Sequence, residues 1–551
     1  MSSVTPGSHA ACEDERLLHK LGYAQELFRA MGGFQNFAIS FTIISILAGC
    51  LTSYYIAFNN GGPIAISWGW LLVGLMSTIV SLAMAEIASV YPTAGGLYYW
   101  SSKLGGPAWG WFTGWFNLVG QIAVTAAIGY GLAIFLTTLL NFWFDYPNTK
   151  EWTLLVYGIV MLIAVVINLF KVWITALLNT VSAYWHMVGV AFIVLVLIVV
   201  PDHHQSFGYV FGHTINNSGF GGHNFGVFMF WYVFGQGLLM SQYTITGFDA
   251  SAHMAEETGR ASRMAAVGMY MSVVASVFFG WILLLAVTFA ITGGDQGVLD
   301  SVGNAVIHIW QTSMGQKWAE ALLFICCVAQ LFCLTASVTS ASRMMFAFSR
   351  DGAVPGHRFW RRVGLNRVPK NAVVAIGVLS FALMIPTYWN AYTGYLVGTS
   401  IAVIGLYIAF ILPVILRYRK RDDWEPGAWS LGPHYKWIDP IAIIWVAFIS
   451  ILFLLPFSPA GVPFKSNPGW DWNLVNYAPA TVGGALVLFG GWYLLSARKW
   501  FKGPVAQGTE EELARIEAGF DAGAPPAQPA QALKRCGAGG ARRPPRSACS
   551  R

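Results

Sequence analysis

Charge is what this sequence is short of. Lys, Arg, Asp and Glu together make up 10% of its 551 residues, against about 25% in a typical soluble domain. So few charges cannot make a water-facing surface for a chain of this length. That excludes a soluble enzyme, a nucleic-acid-binding domain and a disordered protein. Cysteine is sparse too, seven in all. Cys50, Cys326, Cys327 and Cys333 lie in apolar stretches, and Cys12, Cys536 and Cys549 lie toward the termini. None falls in a segment read below as external, so no structural disulfide is expected. Adjacent Cys326 and Cys327 point to different helix faces and make no metal pair. With no metal cluster, catalytic histidine pattern or phosphate loop in view, no metal or cofactor is expected. The first 30 residues are polar, with Glu13, Asp14, Glu15 and Arg16 near the start, so no cleavable signal peptide is expected and the first apolar stretch inserts the chain.

What is present is apolar length. The chain is 56% hydrophobic and 15% aromatic, with a mean hydropathy of +0.56. From Ala30 to Ala85 there is no Lys, Arg, Asp or Glu, enough for two spans of about 20 residues each joined by a turn at Asn59-Asn60-Gly61-Gly62-Pro63. The hydropathy predicts an all-α integral membrane protein of twelve transmembrane helices, near 34–58, 66–89, 109–140, 153–170, 179–200, 227–257, 266–292, 318–346, 371–388, 393–416, 438–457 and 478–496. With the N-terminus inside, the inner loops, N-tail and stub after span 12 hold 22 of the 32 Lys and Arg. The external loops hold only Lys150, Lys317 and Lys465, and the remaining seven lie in the C-terminal tail, also inside. This is a strong positive-inside bias. The net charge of +7 therefore reflects topology: the basic loops meet anionic lipid, and no nucleic-acid partner is expected.

The expected organisation is a cytoplasmic N-terminal tail (1–33), spans 1–5 (34–200), an external loop (201–226), spans 6–10 (227–417), a cytoplasmic loop (418–437), spans 11–12 (438–498) and a disordered cytoplasmic tail (499–551). The tail is rich in Ala, Gly, Pro and Arg, as in Ala524-Pro525-Pro526 and Arg542-Arg543-Pro544-Pro545. A multi-pass plasma-membrane protein is expected.

Two spans carry small or ionisable residues at mid-depth. Membrane helices leave their backbone unpaired only where it is buried in protein or lines a cavity, and secondary transporters use such breaks as binding sites. Span 1 has Ala48-Gly49-Cys50 near its middle. Span 6 has Thr246-Gly247-Phe248-Asp249, with an ionisable group well inside the span, a functional candidate by default. Close packing through small residues explains the first equally well, and Asp249 as a helix cap still requires a break. The two spans are five apart, as inverted repeats of spans 1–5 and 6–10 require. A broken helix offers amides to an anion and carbonyls to a cation. A substrate carboxylate is expected on the amides of Ala48, Gly49 and Cys50, and an amine on the carbonyls of Tyr243, Thr244, Ile245 and Thr246, with Asp249 nearby. Tyr243 and Phe248 either wall the site or pack between helices.

Three stretches resemble the amino acid–polyamine–organocation permeases, in the branch with γ-aminobutyrate, choline and general amino-acid permeases. They are Glu86-Ile87-Ala88-Ser89-Val90-Tyr91-Pro92-Thr93-Ala94-Gly95-Gly96-Leu97-Tyr98-Tyr99-Trp100, then Thr246-Gly247-Phe248-Asp249 through Glu256-Glu257-Thr258, then Ala347-Phe348-Ser349-Arg350-Asp351-Gly352. The resemblance covers roughly residues 20 to 500. It implies a leucine-transporter-type fold, a five-plus-five inverted repeat with two extra C-terminal helices, and alternating access with the carboxylate on span 1 and the amine on span 6. Many relatives have Gly-Ser-Gly where this chain has Ala48-Gly49-Cys50. Some place a lysine in span 5 that stands in for sodium, and His186 falls in that region. By this resemblance it is the coupling residue, able to exchange a proton near neutral pH; a neutral hydrogen-bonded histidine is the alternative. His253 and His308 follow behind it. Glu86, Glu256 and Glu257 are expected to form a cytoplasmic gate, with Arg260, Arg263 and the basic loop after span 8 as partners.

The expected function is secondary transport of an amino acid or related amine, γ-aminobutyrate-like by branch, coupled to protons or run as exchange. A sodium symporter of the same architecture is the rival. A channel or receptor fits the matched breaks less well, and an enzyme is not expected.

Overall fold

The computed structural model describes residues 6–170, 172–221, 226–364, 366–462 and 469–522. The tail motifs at 524–526 and 542–545, with Cys536, Cys549 and Lys465, lie outside them. Among the described residues there are helices and two isolated bridges, Met31 with Thr258 and Asn60 with Asn216, but no strand. Among the described residues, eleven helices are long and apolar enough to cross a membrane, and each overlaps one expected span. Span 6 has no such helix, because it is interrupted into Val227–Gly237, Leu239–Thr244 and Ala250–His253.

Helix starts follow local chemistry. Spans 2 and 3 begin at Pro63 and Pro107, each preceded by a glycine at positive φ (Gly62, 73°; Gly106, 91°). Proline suits a first turn, where its missing N–H is not needed. Asn390 caps span 10, its side-chain oxygen accepting from Thr393 N at 3.0 Å. Leu162, Val188, Leu195, Ile444 and Leu495 are exposed and form a lipid-facing surface.

Contacts between spans fall into matched sets. Spans 2 (Pro63–Val90) and 7 (Ala261–Phe289) pack on each other, as do 3 (Pro107–Phe144) and 8 (Gln316–Arg350), and 4 (Lys150–Asn168) and 9 (Lys370–Leu383). Span 1 packs on 5 as span 6 does on 10, span 1 on 7 as span 6 on 2, and span 3 on 10 as span 8 on 5.

The tail expected to be disordered from 499 contains a helix, Glu510–Ala522, with Glu510, Glu511 and Glu512 in its first turn. Acidic side chains there complement the helix dipole. The segment docks on the N-terminal tail. Gln507 N donates to Gly22 O at 2.8 Å, Ala24 N donates to Gln507 Oε1 at 2.7 Å, and Glu517 Oε1 meets Gln25 N at 2.7 Å and His19 Nε2 at 2.8 Å. Truncation after Lys502 is expected to leave residues 6–27 newly open to limited proteolysis. An unchanged cleavage pattern would contradict this docking.

Candidate functional site

Span 1 runs as a helix over Gly33–Ile44, stops, and resumes at Gly49. The stop is at Ser45, which is left-handed at φ 38°. The unwound stretch is therefore Ser45–Ala48, beginning three residues before the expected Ala48-Gly49-Cys50, with Ala48 at the cap and Gly49 and Cys50 opening the next half. Serine carries no intrinsic liking for this conformation; a tertiary contact holds it. Ser45 Oγ lies 2.7 Å from His186 Nε2 of span 5, and His186 Nδ1 lies 2.8 Å from Ser182 O. Ala48 N and Gly49 N donate back to Ser45 O. Helix starts leave amides without intrahelical partners, and the carbonyls that would serve Cys50 and Leu51 belong to the unwound Ile46 and Leu47.

Span 6 breaks as its sequence suggested. Its helix ends at Thr244, Gly247 sits at φ 95°, and Asp249 opens the next helix at Ala250. The two breaks face each other. A Cβ on Gly49 would lie 2.9 Å from Thr244 Oγ1 and 3.2 Å from Thr244 Cα; one on Gly247 would lie 2.3 Å from Ile43 Cγ2. Gly49 thus permits close approach, the packing through small residues that its sequence allowed equally with unwinding. Tyr243, Thr244, Ile245, Thr246, Phe248 and Asp249 are all buried. Tyr243 packs against Tyr395, whose hydroxyl is 3.0 Å from Thr52 Oγ1 of span 1. Phe248 packs on Tyr407 and Phe410 of span 10. The Tyr407 hydroxyl donates to Ile245 O at 2.7 Å, so the carbonyls of Tyr243 and Thr244 remain at the helix end for a cation.

The Asp249 carboxylate is turned toward span 3. Its Oδ2 accepts from Gln121 Nε2 at 2.7 Å and Asn117 Nδ2 at 3.3 Å, and His253 Nε2 lies at 3.3 Å. Gln121 and Asn117 were missed in the sequence, although their spacing of four along span 3 places them on one helix face.

The first half of span 1 is tied to the second half of span 6. Asn36 Nδ2 donates to Ser251 O and Thr258 Oγ1, both at 3.0 Å. Ser40 Oγ donates to Phe248 O and accepts from Ser251 N, both at 3.0 Å.

The three carboxylates expected to form a gate are buried, and each holds an arginine. Glu86 Oε2 accepts from Arg417 Nε at 2.8 Å, and its Oε1 accepts from Ser430 Oγ and Leu431 N. Glu256 takes both terminal nitrogens of Arg350, at 2.9 and 3.1 Å, and Glu257 Oε1 accepts from Arg343 Nε at 2.8 Å. Arg260 and Arg263, expected as partners, are not these partners; Arg260 offers its backbone amide to Asp14. Next to Arg350, Asp351 accepts from the Tyr23 and Tyr98 hydroxyls at 2.8 and 2.7 Å, and from Val505 N at 3.1 Å. Burial, reinforced by Asp351, pushes both phenols well above their usual range, so they stay donors. Burial also raises the Asp351 carboxyl, against the pull of Arg350. Ala94 N donates to Glu256 Oε1 at 3.0 Å. The three sequence stretches thus converge on one face, through Ala94 and Tyr98, Glu256, and Arg350 with Asp351.

The described residues hold no cluster of three or more His, Cys, Asp or Glu placed to bind a metal. Cys50, Cys326, Cys327 and Cys333 are free and buried.

Comparison with known proteins gives the same answer along nearly the whole chain. The profile of the amino acid permease family matches residues 31–486. The chain is 37% identical to the amino-acid permease BAT1 of Arabidopsis thaliana, over 89% of this chain and 96% of that one. It is 38% identical to the BAT1 homolog of Oryza sativa subsp. japonica, over 89% and 95%. It is 29% identical to the GABA-specific permease of Saccharomyces cerevisiae, over 91% and 87%. With a set of long apolar helices and two facing helix breaks, the chain belongs to the amino acid permease family and is a multi-pass membrane protein of amino acid transport.

Proposed function

We propose that this permease is a secondary active transporter working by alternating access, with a zwitterionic substrate held between the breaks of spans 1 and 6. The observation that carries the reading is the pair of facing breaks, with Gly49 against Thr244 and Gly247 against Ile43. The substrate carboxylate sits at the start of the helix that resumes at Gly49, beside Ala48 and Gly49 and on the amides of Cys50 and Leu51, since Ala48 N and Gly49 N are taken by Ser45 O. The amine sits on the carbonyls at the end of the helix closing at Thr244. Tyr243 walls the site beside Tyr395, and Phe248 closes it from the side of span 10. The matched contacts between spans support twelve crossings, the sixth being the broken one, and a five-plus-five repeat with spans 11 and 12 added. The lysine and arginine distribution supports cytoplasmic termini in a plasma-membrane protein. The face bearing Glu86–Arg417, Glu256–Arg350 and Glu257–Arg343 is then the cytoplasmic gate.

The substrate we infer is an amino acid of the γ-aminobutyrate kind. The GABA-specific relative supports this, as does a site whose two charged ends are held by separate helices. Transport is coupled to protons or run as exchange. His186 has both ring nitrogens occupied when neutral, Nδ1 donating to Ser182 O and Nε2 accepting from Ser45 Oγ. In this reading it shapes the span-1 break. His186→Ala would leave the buried Ser45 hydroxyl without its partner, at about 1–3 kcal/mol. The variant is expected to bind substrate more weakly and to keep the wild-type pH profile of uptake. A lost pH profile would return the coupling role to His186.

The reading is tested by uptake into liposomes holding the purified protein. Radiolabelled amino acids, γ-aminobutyrate, choline and polyamines are offered with and without proton and sodium gradients. Saturable movement of an amino acid class is expected. Movement of none of these compounds would overturn the reading, and accumulation that requires sodium would replace proton coupling with sodium coupling.

A further inference from the structure

We infer that an arginine-lined cavity on the face bearing the gate pairs binds a phosphate-bearing anion, which ties together the N-terminal tail, the loop after span 8 and the C-terminal helix.

The loop after span 8 carries charge of one sign. From Gly352 to Lys370 the sequence has Arg358, Arg361, Arg362, Arg367 and Lys370 but no Asp or Glu. Gly356, at φ 69°, opens the short helix His357–Trp360. This turn brings Arg358, Arg361 and Arg362 to the rim of a cavity of about 450 Å³. Arg350, from the end of span 8, lines the same cavity. The N-terminal tail adds Glu26, and the C-terminal segment adds Gln507, Ile516 and Phe520.

The positive charge is not offset by neighbouring side chains. Among the described residues, no carboxylate forms an ion pair with Arg358, Arg361 or Arg362. Glu26 is turned to the tail instead, its Oε1 accepting from Gln507 Nε2. Arg350 gives its two terminal nitrogens to Glu256, and its Nε is buried without a partner. The C-terminal helix is acidic, yet Glu512 caps Thr509 N at 2.8 Å and Glu517 meets Gln25 N and His19. That helix offers the cavity only the apolar Ile516 and Phe520. Burial, together with the charges of Arg361 and Arg358, holds His357 below its usual range. Like charges gathered this way repel one another, and an anion among them relieves that.

The side chains present select phosphate. A guanidinium offers a planar fork of N–H donors that matches two phosphate oxygens at once, and several forks can share one phosphate group. The cavity is larger than a phosphate alone, and Phe346, Ile516 and Phe520 give it apolar wall. The phosphate therefore comes on a molecule with an apolar part. An anionic lipid headgroup and a soluble phosphate ester share this chemistry, and basic pockets at the ends of membrane helices suit the former. Because the walls come from three segments far apart in the chain, the bound anion holds the tail helix against the loop.

Two measurements on the purified full-length protein in detergent test this, and neither depends on transport. The first is thermal unfolding with inorganic phosphate, with short-chain phosphatidic acid, and with short-chain phosphatidylcholine, which has a phosphate but no net charge. A saturable rise in unfolding temperature is expected with an anionic probe and not with phosphatidylcholine. A rise with inorganic phosphate points to a soluble ligand, and a rise with phosphatidic acid alone points to a lipid headgroup. The variant Arg358→Gln/Arg361→Gln/Arg362→Gln changes only exposed side chains. It is expected to need at least about 10-fold more probe for half the rise, the usual worth of one charge-assisted bond. No rise with either anionic probe, an equal rise with phosphatidylcholine, or an unchanged half-saturating concentration in the variant would overturn the inference. The second measurement is limited proteolysis between residues 503 and 522. The probe that raises the unfolding temperature is expected to slow cleavage there in the wild type, and an unchanged rate would overturn the tie between the three segments.

Discussion

Gly247→Ala is expected to abolish amino acid uptake. Two separate costs fall on this residue. Its φ of 95° is disfavoured for any residue with a Cβ, by about 1–2 kcal/mol. Its Cβ would also stand 2.3 Å from Ile43 Cγ2, the side chain just before the span-1 break. Relieving that overlap means separating span 1 from span 6 where the substrate is proposed to lie, and displacements of about 1 Å at such a site cost about 100-fold. The double variant Ile43→Ala/Gly247→Ala removes the obstructing methyl and leaves only the backbone strain, so it is expected to recover part of the uptake. Comparing initial uptake rates at equal protein density in the membrane checks this. Wild-type uptake by Gly247→Ala would show that the two breaks need not touch.

Glu256→Gln is expected to destabilise the protein by about 3–5 kcal/mol, the usual cost of leaving one member of a buried ion pair unmatched. Arg350 would keep its charge, buried against the Tyr23 ring at 3.7 Å, without the carboxylate that takes both its terminal nitrogens. Ala94 would also lose a charge-assisted partner. Replacing both residues, as Glu256→Gln/Arg350→Gln, removes the stranded charge, so the double variant is expected to regain more than half of the lost stability. Thermal unfolding of the detergent-solubilised protein measures both. A single variant that unfolds at the wild-type temperature would show that the pair is not needed to hold this face shut.

How far the sequence could be read depended on whether a feature was local. The long apolar stretches were legible because a span needs about 20 apolar residues wherever it sits. The break in span 6 was legible because Gly247 and Asp249 are a local anomaly in an apolar stretch. The break in span 1 was displaced, because Ser45 is held left-handed by His186, 141 positions away, and nothing next to Ser45 announces it. Gly49 lets Thr244 approach, the close packing through small residues that the sequence left level with unwinding. Glu86, Glu256 and Glu257 could be singled out, since a Glu near a span end stands out, and each is buried with an arginine. Their arginines were legible in part: the basic stretch after span 8 was an expected partner and supplies Arg343 and Arg350, whereas Arg260 and Arg263 are not partners and Arg417, from the end of span 10, was not foreseen. The order in the C-terminal tail was hidden by composition. The three glutamates at the start of Glu510–Ala522 were a usable helix-start signal, but the docking partners, Gly22 to Gln25, are almost the whole chain away.

The central claim is that one substrate is held at both ends, its carboxylate by span 1 and its amine by span 6. The most direct measurement is competition against counterflow of a transported amino acid, using its methyl ester, which lacks the carboxylate, and its deaminated acid, which lacks the amine. Losing a hydrogen-bonded charged group costs about 1.5–3 kcal/mol, so each analogue is expected to compete roughly 10- to 100-fold more weakly than the parent. An analogue missing either group that competes as well as the parent would contradict the account.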